Sequence, residues 1–291
     1  MGCSRVKTLL SFLVIMAPAL CVHGQTLVMK DGRSIAAKAL RRQGDLIMAT
    51  QEISTGANQP VTTGEVGYPL TQIQKLDFPE PAQLRQAGEA ILQGKAADAV
   101  TQLDQALRYY EGFRDAPGSW WAPLTLLKAR ALTAQGKVRE ADPLIAQMAR
   151  LAQDPETSRA ARVQVAAGLS RGGNHARAVE LIDKIISESG MPETLAAAAI
   201  AKGQSHLGLK QWEPALLAFL QIPVFYEEER LLQPQALLGS GQAYFGLEDL
   251  ERAKASLNNV ITAYAAMAEA AAAKLELEKI ARFEKARETP K

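Results

Sequence analysis

The fold is decided by residues 236–261, ALLGSGQAYFGLEDLERAKASLNNVI, near the end of this 291-residue chain. Apolar and small residues recur there at spacings of three and four, which is the period of a helix with one buried face. Turn-forming residues at 246–249 interrupt the pattern and divide it into two halves. Gly241 in the first half and Ala253 in the second leave room for close packing. The stretch therefore predicts two helices joined by a turn.

The same arrangement of a turn, an alanine and a large apolar residue four positions later occurs five times. The copies read LQGKAADAVTQL, AQGKVREADPLI, SRGGNHARAVELI, LGLKQWEPALLAF and FGLEDLERAKASL. Their alanines are Ala99, Ala141, Ala178, Ala215 and Ala253. Successive alanines lie about 40 residues apart, and a period of this length predicts a solenoid, in which each hairpin buries its apolar face against its neighbours.

The copies resemble tetratricopeptide (TPR) repeats, in which small residues on two helices meet and a large residue fills the space beyond. The small residues of the first helices are Ala87, Ala129, Ala166, Gly203 and Gly241, and the large residues are Leu103, Ile145, Ile182, Phe219 and Leu257. The resemblance implies a mostly α-helical solenoid of about five hairpins over residues 79–287, with a C-terminal capping helix. The spacings exceed the family's usual period of about 34 residues, and the aromatic residue that begins the family's first helix is missing. The last residues, 288–291, are expected to fray.

Within this family the chain is most similar to the bacterial envelope type, such as BamD-like and Tol-Pal-associated adaptors. The resemblance implies a non-enzymatic scaffold that binds a peptide or helix in a concave groove lined by its first helices. The groove-facing positions next to the small residues are Gly88, Arg130, Ala167, Gln204 and Gln242. Arg130, Gln204 and Gln242 are the candidate hydrogen-bonding residues, and Phe245 is a candidate apolar contact.

The row one turn earlier is apolar and consists of Leu84, Leu126, Val163, Ile200 and Leu238. A TPR groove that grips a C-terminal carboxylate needs cations there, so the sequence favours an apolar segment as the occupant. The insertion YYEGFRDAPGSWWAP, residues 109–123, carries five aromatic residues. Trp120 and Trp121 within it are either exposed interface anchors or a seal between the solenoid and the preceding segment.

Residues 25–78 alternate with period two, which predicts five short strands in a small barrel similar to SH3-like or Sm-like folds. Asp31-Gly32 favours a tight hairpin after the first strand. A basic cluster of Lys38, Arg41 and Arg42 is interpreted as a solvated strand edge that discourages edge pairing. The prolines of FPEPAQL, residues 78–84, mark the boundary with the helical region.

Residues 1–24 have the basic start, short apolar run and small-residue end of a secretory signal peptide. Cleavage is expected after Gly24 or, alternatively, after Ala19. Both cysteines, Cys3 and Cys21, lie in this leader, so the mature chain has none. Lipidation of Cys21 and a permanent membrane anchor are the lesser alternatives, since Leu20 is not small and the apolar run is short. The expected location is the periplasm.

The mature chain is close to electrically neutral, because removal of the two leader cations leaves 31 basic and 31 acidic residues. Such a balance argues against nucleic-acid binding. His175 and His206 have no metal-ligand spacing, and no nucleophile motif is present, so we expect no metal, cofactor or catalysis. Two alternatives remain: an envelope enzyme using carboxylates such as Asp31, Asp45 or Asp115, and a self-associating structural spacer.

Overall fold

The computed structural model describes residues 24–53, 62–152, 154–188 and 190–288. Six strands come first in these parts of the chain: β1 (Gln25–Met29), β2 (Ser34–Ala37), β3 (Ala39–Gln43), β4 (Leu46–Ile53), β5 (Thr62–Pro69) and β6 (Ile73–Asp77). Eleven helices follow: α1 (Ala82–Leu92), α2 (Ala96–Tyr110), α3 (Trp121–Ala134), α4 (Val138–Leu151), α5 (Pro155–Arg171), α6 (His175–Ser187), α7 (Pro192–Gly208), α8 (Trp212–Phe225), α9 (Gln233–Gly246), α10 (Leu250–Ala263) and α11 (Ala268–Glu288). The predicted class is confirmed: a small β-module precedes a helical solenoid.

The helices pair in chain order as five hairpins, and α11 packs on the last of them. All five hairpin turns end their first helix in the same way. The residue two positions after the helix has a positive φ in each turn, and these residues are Gly94, Gly136, Gly173, Lys210 and Glu248. The next amide donates back to a carbonyl five residues earlier, as from Lys95 to Ala90 at 2.8 Å. This is the Schellman end of a helix, repeated five times.

Small side chains bring the two helices of each hairpin together. The five repeat alanines are all buried: Ala99, Ala141, Ala178, Ala215 and Ala253. A Cβ added to Gly203 would lie 2.7 Å from ring carbons of Phe219, and one added to Gly241 would lie 2.7 Å from Leu257. Because these large residues fill the space that a side chain would need, the two glycines permit the close approach of α7 to α8 and of α9 to α10.

The β-module consists of two three-stranded antiparallel sheets, ordered β2-β1-β6 and β3-β4-β5. It has six strands in the described part of the chain, so the prediction of five was wrong: residues 33–42 form two strands that belong to different sheets. Ala37 and Leu40 are both buried. Since side chains three residues apart point to opposite faces of one strand, the chain must bend between them. The bend falls at Lys38, and no Gly or Pro marks it in the sequence.

One hydrophobic core continues from the β-module into the first two hairpins. Phe78 lies at the transition, with its ring edge-to-face against those of Tyr110 and Phe113, whose centroids are 5.4 and 5.3 Å away. Burial, together with the neighbouring Tyr109, raises the pKa of Tyr110 to about 12. The β-module and the solenoid are therefore packed together rather than joined by a bare linker.

The predicted leader, residues 1–24, lies outside the described residues except for Gly24, and the end of the predicted tail at 289–291 does too. Within residues 24–53, 62–152, 154–188 and 190–288, no helix combines the length and the apolar character needed to cross a bilayer.

Candidate functional site: the concave groove of the solenoid

The first helices of the middle hairpins line a large groove with a volume of about 750 Å³. Helices α3, α5 and α7 and the second helix α4 contribute most of its lining, which includes the predicted apolar residues Val163 and Ile200. Of the predicted polar row, Arg130, Ala167 and Gln204 line this groove. A cavity of this size and mainly apolar character is suited to holding a ligand or a short stretch of polypeptide.

The last two predicted groove residues lie elsewhere, against the capping helix α11. The Nε2 amide of Gln242 donates a hydrogen bond of 2.9 Å to Oε1 of Glu276. Phe245 packs edge-to-face on Phe283 with ring centroids 5.6 Å apart. Helix α11 occupies the position that the first helix of a sixth hairpin would take, and so it covers this end of the row.

The groove is bounded on its remaining side by segments from both ends of the solenoid. Leu231, which precedes α9, and Met267, which precedes α11, pack against the core of the first hairpins. Both line the groove together with Ile91 of α1. The solenoid therefore curves until its ends meet, and the groove is enclosed by more of the molecule than an open crescent would provide.

Three glutamine side chains line the groove, from α5, α7 and α9. They are Gln164, Gln204 and Gln235. Among the described residues, none of the three has a hydrogen-bond partner for its side chain. A primary amide can donate two hydrogen bonds and accept two. Gln164 and Gln235 were missed from the sequence because they lie in different registers of their helices from Gln204.

A smaller pocket of about 140 Å³ opens beside the groove. Its apolar walls come from Ala122, Pro123, Leu126, Met148, Ala160 and Ala197. Arg130, Gln164 and Ala197 line both the pocket and the groove. The two spaces are therefore adjacent.

Carboxylates surround the pocket. Arg130 lies 3.4 Å from Oε1 of Glu193, and Glu229 is close enough to both to feel their charges. Burial, reinforced by the charge of Glu193, raises the pKa of Glu229. Glu156 accepts hydrogen bonds from Thr194 Oγ1 at 2.5 Å and from the guanidinium of Arg159. Burial opposes ionisation of Glu156, but these bonds outweigh it and lower its pKa.

The aromatic insertion lies at the junction of the β-module and the solenoid. Trp121 is 3% exposed, and its Nε1 donates to Oε2 of Glu111 at 2.9 Å. Trp120 is partly buried in the same core and donates from Nε1 to the carbonyl of Phe78 at 3.2 Å. The amide of Leu76 in β6 donates to the carbonyl of Pro117 at 2.7 Å. These contacts correspond to the second interpretation of the insertion, in which its tryptophans seal the junction between the β-module and the solenoid.

The two histidines make local hydrogen bonds. The Nδ1 atom of His175 lies 3.2 Å from Ser170 Oγ, and that of His206 lies 2.6 Å from Gln211 Oε1. The part of the chain that the structure describes contains no group of three His, Cys, Asp or Glu residues placed to hold a metal. His175 lines one end of the groove, while His206 is buried.

The carboxylates considered for an enzyme are in ion pairs. Asp31 bonds to Arg33, which lowers its pKa. Asp115 lies 3.3 Å from Arg42 at the junction, and Asp45 lies 4.0 Å from the same guanidinium. The rest of the predicted basic cluster pairs across strands, Arg41 with Glu65 and Lys38 with Glu52. Asp45 and Asp115 thus share one cation, and Asp31 lies apart from it.

No protein-family model matches the sequence, and no curated protein matches it. Solved structures of repeat proteins do match. A point variant of a kinesin light chain-like protein of Podosopora anserina, with nearly identical TPR-like repeats, is 19% identical, with a TM-score of 0.39 over 62% of this chain and 92% of its own. MamA of Desulfovibrio magneticus RS-1 is 14% identical, with a TM-score of 0.35 over 64% of this chain and 97% of its own. MamA AMB-1 is 15% identical, with a TM-score of 0.34 over 63% and 98%.

These identities and TM-scores are too low to carry a family assignment or a function. The class of the protein rests on its own five hairpins and their packing. The chain is a TPR-like α-solenoid with a capping helix, preceded by a small antiparallel β-module.

Proposed function

We propose that this chain is an exported, non-enzymatic scaffold of the bacterial cell envelope, located in the periplasm, that holds a segment of a protein partner in its concave groove. The observation that carries the proposal is the groove of about 750 Å³, with its apolar floor and the three glutamine side chains that line it. Export is inferred from the sequence of residues 1–24 alone.

A polypeptide segment that enters a groove exchanges water for protein contacts. Its side chains gain from burial against an apolar floor, whereas its backbone N–H and C=O groups need new partners. Gln164, Gln204 and Gln235 present amides from three successive first helices, and each amide can bond both backbone groups. This combination fits a peptide better than a charged small molecule.

The groove assignment can be tested by site-specific photo-crosslinking in cells of the source organism. A benzophenone amino acid at position 204, in the groove, is expected to give a discrete protein adduct. The same probe at position 255, an exposed site on the second helix of the fifth hairpin, serves as the matched control. Adding Ala167→Phe to the 204 probe should abolish the adduct, because the ring projects into the groove and obstructs the segment.

Equal adducts from positions 204 and 255, or an adduct that survives Ala167→Phe in a folded protein, would contradict the groove assignment. Sedimentation of the purified chain shows whether the adduct is a second copy. Export is tested separately by the mass of the protein recovered from periplasmic extracts. A start at Gln25 or Leu20 is expected, and an intact leader in the cytoplasm would contradict export.

A further inference from the structure

We infer that the partner segment is anchored by one apolar side chain inserted into the side pocket of about 140 Å³, and that it carries a lysine or arginine next to this anchor. The inference rests on the proposed function and specifies the chemistry of the partner. It is carried by the size of the pocket, by its position beside the groove, and by the charges around both.

The pocket has the volume of a single apolar side chain. Cavities of about 150 Å³ in protein interiors hold one benzene molecule, so about 140 Å³ suits a leucine, isoleucine or phenylalanine side chain. Alanine, proline, leucine and methionine side chains form the apolar part of its walls, and the remaining lining residues are polar or charged. A partner side chain of this kind would leave water and be buried against apolar surface, which favours binding.

The mouth of the pocket lies beside the path of a segment in the groove. Arg130, Gln164 and Ala197 line both spaces. An extended chain bonded by Gln164 would therefore pass the mouth, and alternate side chains of such a chain point to opposite sides. One of them can enter the pocket while the next faces the rim.

The rim carries more negative than positive charge. The residues lining the pocket and the groove include two arginines, Arg130 and Arg171, and four carboxylates, Asp142, Glu156, Glu193 and Glu269. Arg171 pairs with Asp142 at 3.7 Å, and Arg159 outside the lining pairs with Glu156 at 2.7 Å. Arg130 pairs with Glu193, which leaves Glu269 in the groove without a cation of its own among the described residues.

The lining of the two spaces thus holds two more carboxylates than arginines, which selects against an acidic partner and for a basic one. A cation next to the anchor would lie near Glu193, which lines the pocket and lies 3.4 Å from Arg130. Like-charge contacts at an interface cost affinity, whereas complementary ones set the register of binding.

The experiment uses a random dodecapeptide phage library selected on the purified mature chain, residues 25–291, followed by synthesis of the enriched peptides. We expect enrichment of an apolar residue adjacent to lysine or arginine. Changing that apolar residue to alanine should weaken binding about tenfold or more, as expected for a buried Leu-sized anchor. Changing the basic residue to glutamine should weaken it about threefold, as expected for a partly exposed ion pair.

Variants of the protein map the anchor. Ala160→Phe fills the pocket and should abolish binding, and Ala122→Leu, at a residue that lines the pocket but not the groove, does so with a smaller volume in case the first variant fails to fold. Glu193→Gln, at a side chain that is 55% exposed, should remove the preference for lysine over glutamine while binding of the apolar anchor persists. Glu213→Gln, an exposed residue on the first turn of α8, is the matched control and should change neither.

The outcomes separate the two proposals. Peptides that are displaced by Ala167→Phe but not by either pocket variant, or that show no preference for basic residues, would overturn the anchor and leave the groove function standing. Peptides that are insensitive to Ala167→Phe, or a selection that yields no binding peptide, would contradict both.

Discussion

Gly94 lies against the backbone of Ala266, so the first turn of the solenoid touches the segment between the last hairpin and the capping helix. A Cβ added to Gly94 would lie 3.1 Å from the carbonyl carbon of Ala266 and nearer still to its oxygen. Gly136 occupies the same place in the second hairpin, with a φ of +75° against +74° for Gly94, but nothing lies within 4 Å of its added Cβ. The two glycines therefore share a backbone conformation and differ in this contact.

The closure contact predicts different costs for the same substitution at these two turns. Gly136→Ala should lower the free energy of unfolding by about 1–2 kcal/mol, the cost of a left-handed conformation for a residue with a Cβ. Gly94→Ala adds a clash with the Ala266 carbonyl and should cost more. Urea unfolding measures both, and small-angle scattering should show a larger radius of gyration only for Gly94→Ala. Equal losses in the free energy of unfolding and an unchanged radius of gyration would mean that the contact between the two ends does not stabilise the solenoid.

Alanine substitutions at two glycines within helices are expected to change the free energy of unfolding in opposite directions. Gly203→Ala should destabilise the protein by about 1–3 kcal/mol, because its Cβ would overlap the ring of Phe219. Gly168→Ala, in α5, meets nothing nearer than Arg171 Nη2 at 3.8 Å. It should stabilise the helix by about 0.5–1 kcal/mol through higher helix propensity. Thermal or urea unfolding decides the matter, and a stabilised Gly203→Ala protein would contradict the close packing of α7 on α8.

Substitution of either tryptophan of the insertion is expected to lower the stability of the protein. Trp121→Ala should lower the free energy of unfolding by about 3–5 kcal/mol, the usual cost of removing a buried tryptophan. Trp120→Phe keeps a ring but removes the donor to the Phe78 carbonyl, and should cost about 1 kcal/mol. If Trp121 were an exposed anchor, Trp121→Ala would instead leave the urea midpoint unchanged and weaken partner binding.

Two glutamates, Glu156 and Glu229, are expected to make contributions to the stability of the protein that depend on pH in opposite ways. The lowered pKa of Glu156 contributes stability above the pKa of the unfolded chain, and this stability is lost as pH falls through the folded pKa. The raised pKa of Glu229 has the reverse effect: its contribution is present at low pH and is lost as pH rises through the folded value.

Glu156→Gln should therefore be less stable than the wild type at pH 7, with the difference closing in acid. Glu229→Gln should be more stable than the wild type at pH 7, and the two should converge near pH 4. Urea midpoints measured from pH 3 to 8 in constant salt test both. Parallel curves for the wild type and the two variants would contradict the assigned environments.

The hairpins could be predicted from the sequence because their determinants are local and repeated. Ala215 and Phe219 are four residues apart on one helix, and the predicted turn before them is closed by the hydrogen bond from the Gln211 amide to the His206 carbonyl. The division of residues 33–42 between two sheets could not be predicted, because the bend at Lys38 follows from the simultaneous burial of Ala37 and Leu40 and not from a turn residue.

The site was predictable only in part. Arg130 and Gln204 follow from their position next to a small packing residue, and they line the groove. Gln242 has the same local position, but a residue of α11, distant in sequence, bonds to it. Glu229 lies in a loop, and its proximity to Arg130 and Glu193 has no local signal. Whether these residues bind a partner stays a prediction.

The sequence by itself determined the class of repeat, the number of hairpins and the residues at which their helices touch, because each depends on side chains a few positions apart. The tertiary structure decided that the ends of the solenoid meet, that α11 covers part of the predicted row, and that a side pocket with an acidic rim adjoins the groove. These features depend on the small rotation between successive hairpins, which accumulates over the whole chain and is encoded at no single position.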